Sequence, residues 1–117
     1  MDNLEKQIDD ALIELDAPFR FSGTIYIKEC LMFMLTDTYC RIKLGRCFEK
    51  VAQKLFGEYN IGNYRTMSRN TRYAIEYIIK HLSEDKRQRI FGITAKEHLK
   101  SKEFLIRLCR YIENNLA

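Results

Sequence analysis

Proline and glycine are scarce, with one Pro and five Gly in 117 residues. That leaves few of the turns an all-β sandwich or barrel of this length requires, and it excludes collagenous and linker-like chains. Long apolar runs are also missing. The longest is Cys30 to Leu35, far short of the roughly 20 residues that span a bilayer. The opening Met1-Asp2-Asn3-Leu4-Glu5 has neither the basic n-region nor the apolar h-region of a secretory leader. A cytoplasmic protein with no membrane span is expected. Metal-ligand spacing is lacking too: Cys30, Cys40, Cys47 and Cys109 form no Cys-x-x-Cys pair, and His81 and His98 stand at no familiar spacing from them. Neither a metal nor a cofactor is expected. The cysteines read as small buried hydrophobes in a reducing compartment.

What is present is a hydrophobic share of 46% and a charged share of 31%, the balance of a globular chain and not of a disordered one. The length suits one domain with one core across residues 1–117. An all-α fold of about six helices is expected. The net charge of +4 conceals an uneven distribution: residues 1–20 hold two basic and six acidic side chains, whereas 65–90 hold seven basic and three acidic. Such asymmetry hints at a polyanionic partner.

Apolar periodicity places the helices. Leu4, Ile8, Ala11, Leu12 and Leu15 form one stripe of a first helix that ends near Asp16, because Pro18 biases the residue before it away from the α region. Phe19 and Phe21 would anchor the connector, and Ser22 or Thr24 would cap the next helix. Residues 25–39 are apolar nearly all round, as a central helix should be. A third helix from Leu44 buries Cys47, Phe48, Val51, Ala52 and Leu55 and stops at Gly57. The turn formers of 57–64 read as a loop, longer than the usual turn of a helix-turn-helix. Thr66 or Ser68 would then cap a long helix whose buried stripe is Met67, Thr71, Ala74, Ile75, Ile78 and Leu82. Ser83 would cap a short helix through Ile90 that Gly92 stops. Phe104, Leu105, Leu108, Cys109, Ile112 and Leu116 mark the last helix.

No phosphate-binding glycine loop, nucleophile elbow or zincin motif is present, so an enzyme is not expected and neither is a small-molecule substrate. The telling pair is the helix-turn-helix candidate over 44–82. Its second helix opens polar and basic with Arg65, Ser68, Arg69, Asn70, Thr71, Arg72 and Tyr73, then turns apolar. Arg65, Arg69 and Arg72 fall at i, i+4 and i+7, on one face, and arginine makes bidentate pairs with guanine. A helix of this kind enters the major groove by its N-terminal end while its other end stays in the core. Taken alone, such a face is also what a solvated helix with internal charge pairs presents.

Four blocks of the chain resemble the C-terminal DNA-binding effector domain of the sporulation-initiation response regulators of endospore-forming bacteria, the stage-zero sporulation protein A family. Glu14-Leu15-Asp16-Ala17-Pro18-Phe19-Arg20-Phe21-Ser22-Gly23-Thr24-Ile25-Tyr26-Ile27-Lys28-Glu29 is similar, without a gap, to the family's Glu-Leu-Gly-x-Pro-x-x-x-x-Gly-x-x-Tyr-Leu-x-Glu segment. Phe48 to Phe56 resembles the helix that supports the recognition helix. Ser68-Arg69-Asn70-Thr71-Arg72, followed by Ala74-Ile75, resembles the recognition helix itself, with Thr71 where the family's Ser-Arg-Val-Glu-Arg has its Glu. Phe91-Gly92-x-Thr94 with Glu103-Phe104 resembles the C-terminal part. The family places a phosphoacceptor receiver ahead of this domain, and these 117 residues do not include one.

The resemblance implies a helix-turn-helix transcription regulator of sporulation type that binds double-stranded promoter DNA in the nucleoid, as a homodimer on tandem sites. Base contacts are expected from Ser68, Arg69, Asn70, Thr71 and Arg72. Phosphate contacts are expected from Lys50, Lys54, Arg65, Thr66, Lys86, Arg87 and Arg89. The rival expectation is a helical protein-interaction module that has kept this fold without DNA binding.

Overall fold

A computed structural model describes residues 3–93 and 98–115. Among them every regular element is helical: α1 (Asn3–Glu14), α2 (Ser22–Thr36), α3 (Thr38–Ile42), α4 (Leu44–Phe56), α5 (Ile61–His81), α6 (Glu84–Lys86), which runs on into a π-turn (Arg87–Phe91), and α7 (Ser101–Asn114). The all-α class is as the sequence indicates. The additional helix arises because the apolar run after Ile25 is divided. Thr36 Oγ1 donates back to the Met32 carbonyl at 2.8 Å, and Asp37 then takes an extended backbone and accepts from the Tyr39 N–H at 3.0 Å. An aspartate cap therefore ends α2 at Thr36 rather than 39 and starts α3.

Other boundaries follow the expected chemistry. Gly57 and Gly92 close α4 and the π-turn in the left-handed region, at φ 77° and 74°, where a Cβ would be strained. Ser83 Oγ accepts from the Lys86 N–H at 3.2 Å. Neither Ser22 nor Thr24 caps α2, however. Phe21 occupies that position without a side-chain bond, and the buried Thr24 hydroxyl donates instead to the Pro18 carbonyl at 2.8 Å, pinning the connector. Phe21 packs edge-on against Tyr77 with ring centroids 5.2 Å apart. Phe19 stays exposed and does not join the buried core.

Helix α2 runs through the middle, packed by α1, α3, α4, α5 and α7. Its Tyr26, Ile27, Cys30, Leu31 and Met34 form the fully buried face, Met32, Phe33 and Leu35 are partly buried against the core, and Ile25 is exposed, so the apolar run is covered on most but not all sides. Helix α5 contributes Met67, Thr71, Ala74, Ile75, Ile78 and Ile79 to the same core, with Leu82 just beyond its end, and α7 contributes Phe104, Leu105, Leu108, Cys109 and Ile112. Leu55 of α4 is exposed and leaves the expected stripe at Ala52. Leu116, Thr94 and Glu97 lie outside the described residues. Helices α2 and α5 meet most closely at Gly23, where a Cβ would stand 2.0 Å from the Asn70 carbonyl oxygen. Lys28 to Glu5 and Asp9 (3.1 and 2.9 Å) joins α2 to α1, and Arg41 to Glu113 (2.6 Å) joins α3 to α7. No helix among the described residues is long and apolar enough to cross a membrane.

Candidate nucleic-acid interface

The helix pair α4 and α5 is joined by only four residues, 57–60, because α5 begins at Ile61 and not near Thr66. The physical reason lies in Asn60. Its backbone is extended, and its Oδ1 accepts from the Asn63 N–H at 2.9 Å, satisfying one of the donors that a helix start leaves without an internal partner. Asn60 Nδ2 donates to Glu58 Oε1 at 2.8 Å and Asn63 Nδ2 to the Glu58 carbonyl at 3.1 Å, so the turn is tied to itself. The connection therefore has the three- to four-residue length of a helix-turn-helix, and the expected long loop is corrected. At 21 residues, α5 extends roughly 30 Å at about 1.5 Å per residue.

This start changes which residues form the leading turns. Ile61, Gly62 and Tyr64 are exposed there, followed by Arg65, Thr66, Arg69, Arg72 and Tyr73 on the side away from the buried Met67, Thr71 and Ala74. Arg65 and Arg69 have no carboxylate within 4.0 Å among the described residues, and Arg72 has only the Tyr73 ring, 5.7 Å from its guanidinium carbon. Glu76 continues the face. Ser68 and Asn70 are half-buried at its edges, and Asn70 Nδ2 reaches Ser22 Oγ at 3.4 Å. Thr71 is 0% exposed. It belongs to the stripe that holds α5 in the core, so its expected base contact is corrected by burial.

The remaining expected phosphate ligands are engaged elsewhere. Lys50 pairs with Asp37 at 2.9 Å and Lys54 with Glu29 at 2.7 Å; both tie α4 back toward α2 and do not stand free beside Arg65. The Lys50 ammonium, helped by the Tyr39 N–H, holds the Asp37 carboxyl below its ordinary range, and Asp37 in turn raises Lys50. Lys86 Nζ donates to the Glu14 carbonyl at 2.9 Å, and Arg89 Nη1 lies 3.0 Å from Glu14 Oε1 and 3.1 Å from the Tyr111 hydroxyl. Arg87 is 5% exposed and donates to the Leu82 carbonyl, so its phosphate role is corrected as well. This trio sits beyond the C-terminal end of α5, against α1 and α7, a helix length from the leading turns. The structure thus brings Arg65, Thr66, Arg69 and Arg72 together and leaves Lys86, Arg87 and Arg89 at the far end.

The four cysteines are buried and free of disulfides, and His81 is held at the end of α5. Burial pushes the Cys109 thiol up to about 12, and a hydrogen bond with Cys47 together with burial raises Cys30, so both stay protonated and unreactive at neutral pH. His81 stacks on Tyr77 at 4.1 Å, with Nδ1 held 2.9 Å from the Tyr77 carbonyl, a helix-terminal position that suits a capping role. Compared with protein-family models, with curated proteins and with solved structures, the chain matches none.

Proposed function

We propose that the chain is a sequence-specific DNA-binding regulator of transcription that lays the leading turns of α5 in the major groove. The observation that carries this reading is the unmatched basic face. Ion pairs occupy Lys28, Arg41, Lys50, Lys54, Arg89 and Arg107 on other helices, whereas Arg65, Arg69 and Arg72 stand exposed at i, i+4 and i+7 with no carboxylate partner among the described residues. Three arginines with no carboxylate in ion-pair reach among the described residues, at the N-terminal half of a helix whose other face is fixed in the core and ahead of Glu76, suit a phosphate-lined groove. The four-residue turn before α5 and the resemblance to the sporulation effector domain support the same reading.

Within it, Arg65 and Arg69 read base edges, being nearest the helix start, and Thr66 and Arg72 meet the flanking backbone. Lys50 and Lys54 serve first to brace α4 against the core. The function is binding, with no covalent step.

The test is affinity for duplex DNA across a salt series, using the full chain and a site selected from a randomised pool. A regulator loses affinity steeply as salt rises, because each neutralised phosphate releases counterions. Arg69→Ala is expected to cost about 1–3 kcal/mol and to relax preference at one base pair. Absence of retained DNA at low salt refutes the proposal and favours a protein-interaction module.

A further inference from the structure

Among the described residues the most exposed of the large hydrophobic side chains is Ile61, at 66%, and it occupies the first position of α5. Nothing in local stability accounts for an isoleucine there. The first helical position favours proline or an acidic residue rather than a β-branched apolar one, and the buried stripe of α5 begins only at Met67. The backbone turn that carries Ile61 is nevertheless tied down. Asn60 caps the turn beneath it, and Tyr64, one turn on, packs edge-on against the buried Phe48 at 5.9 Å and against Tyr59 at 6.5 Å. Tyr59, Asn60, Ile61 and Tyr64 line a shallow groove of about 320 Å³. The result is an exposed apolar side chain on an ordered turn at the tip of the helix, with Arg65 at i+4 and Arg69 at i+8, neither of them ion-paired among the described residues.

We infer that Ile61 is a specificity-determining residue that packs on the C5-methyl of a thymine, beside a guanine read by Arg65. This inference rests on the DNA-binding reading and specifies its target. In the major groove the thymine methyl is the one apolar feature by which a base pair is distinguished, and it is read by apolar contact, whereas guanine offers two acceptors to arginine. Ile61 and Arg65 are separated by roughly 6 Å along the helix axis at about 1.5 Å per residue, and successive bases on a strand by about 3.4 Å. The thymine and the guanine are therefore within about two base pairs of each other.

The experiment uses the full chain and duplexes carrying the site selected from a randomised pool, with each thymine replaced in turn by 2′-deoxyuridine, which lacks only the methyl. At one thymine, near the guanine whose preference Arg65→Ala abolishes, the wild type is expected to bind the uracil probe roughly fourfold more weakly, the effect of one buried methyl. Ile61→Ala is expected to bind both probes equally. The DNA-side substitution leaves the protein intact, so the readout does not depend on how the variant folds. Specific binding with no methyl-sensitive thymine, or full discrimination retained by Ile61→Ala, overturns the assignment and leaves the DNA-binding reading standing. Failure to retain any duplex at low salt overturns both.

Discussion

Replacing Gly23 by alanine adds a single methyl at the crossing of α2 and α5, and the geometry there sets the cost. The new carbon would stand 2.0 Å from the Asn70 carbonyl oxygen, 2.7 Å from the Asn70 carbonyl carbon and 2.8 Å from Ala74 Cβ. Ordinary contact is about 3.5 Å, so the helices must part by more than about 1 Å. Two of the three obstructing atoms are backbone in the interior of a 21-residue helix and cannot rotate aside. Accommodating an extra methylene in a packed core typically costs about 1–3 kcal/mol, and a clash with backbone belongs at the top of that range. Against this, alanine is at most about 1 kcal/mol better than glycine in a helix interior, and less at a first turn. A net loss of about 2–3 kcal/mol is expected, lowering Tm by about 4 °C for each kcal/mol in a domain of this size.

The paired control is Gly45→Ala. Gly45 lies in the first turn of α4 with nothing within 4 Å of its Cβ position and no positive φ. There the same substitution stabilises by about 0.4–1 kcal/mol through the unfolded chain. Urea unfolding followed by far-UV circular dichroism measures both. Equal effects at the two glycines, or a Gly23→Ala variant within about 0.5 kcal/mol of wild type, would refute the close crossing of α2 and α5.

Two further outcomes follow from buried and paired polar groups. Thr71 Oγ1 is buried without a hydrogen-bond partner among the described residues, so the near-isosteric Thr71→Val is expected to raise stability by about 1 kcal/mol in urea unfolding and, under the proposed function, to leave DNA affinity unchanged; a loss of specificity would return Thr71 to the reading face. Asp37, lowered from its ordinary 3.8 by Lys50 and the Tyr39 N–H, stabilises fully above that value and loses its contribution as pH falls through the lowered one. Asp37→Asn should therefore lower stability at neutral pH, with the difference from wild type closing in acid. A gap that persists unchanged across a pH series of unfolding midpoints refutes the pairing.

The helical class and the core were readable because both rest on apolar period. Ile8, Ala11 and Leu12, then Cys47, Phe48, Val51 and Ala52, and Phe104, Leu105, Leu108, Cys109 and Ile112 are buried as their spacing indicates. Glycine stops at 57 and 92 were equally readable, since few residues tolerate positive φ. The start of α5 was not. Asn60, Gly62 and Asn63 are turn formers, but the donors of a helical first turn need a partner that an asparagine at the cap supplies. The same residue types thus serve a loop or a helix start, and only the bond from the Asn63 N–H to Asn60 Oδ1 decides between them.

The candidate site was legible to the same degree and for the same reason. Spacing put Arg65, Arg69 and Arg72 on one face, and they are on one face. Spacing could not show which cations are already neutralised, because the neutralising carboxylates come from elsewhere in the chain: Asp37 for Lys50, Glu29 for Lys54 and Glu14 for Arg89. Thr71 carried two incompatible expectations, buried stripe and base contact, and burial selects the first. The helix start matters most for function. A cap at Asn60 moves Arg65 and Arg69 into the second and third turns and puts Ile61 at the tip. If α5 reads DNA as proposed, a face of arginines alone would accept any phosphate-lined groove with a guanine in it, whereas arginines preceded by an exposed apolar side chain would favour a methyl as well. Under the proposed DNA-binding reading, the residue that would narrow the target is thus one whose exposure runs against the hydrophobic pattern from which the rest of the fold was read.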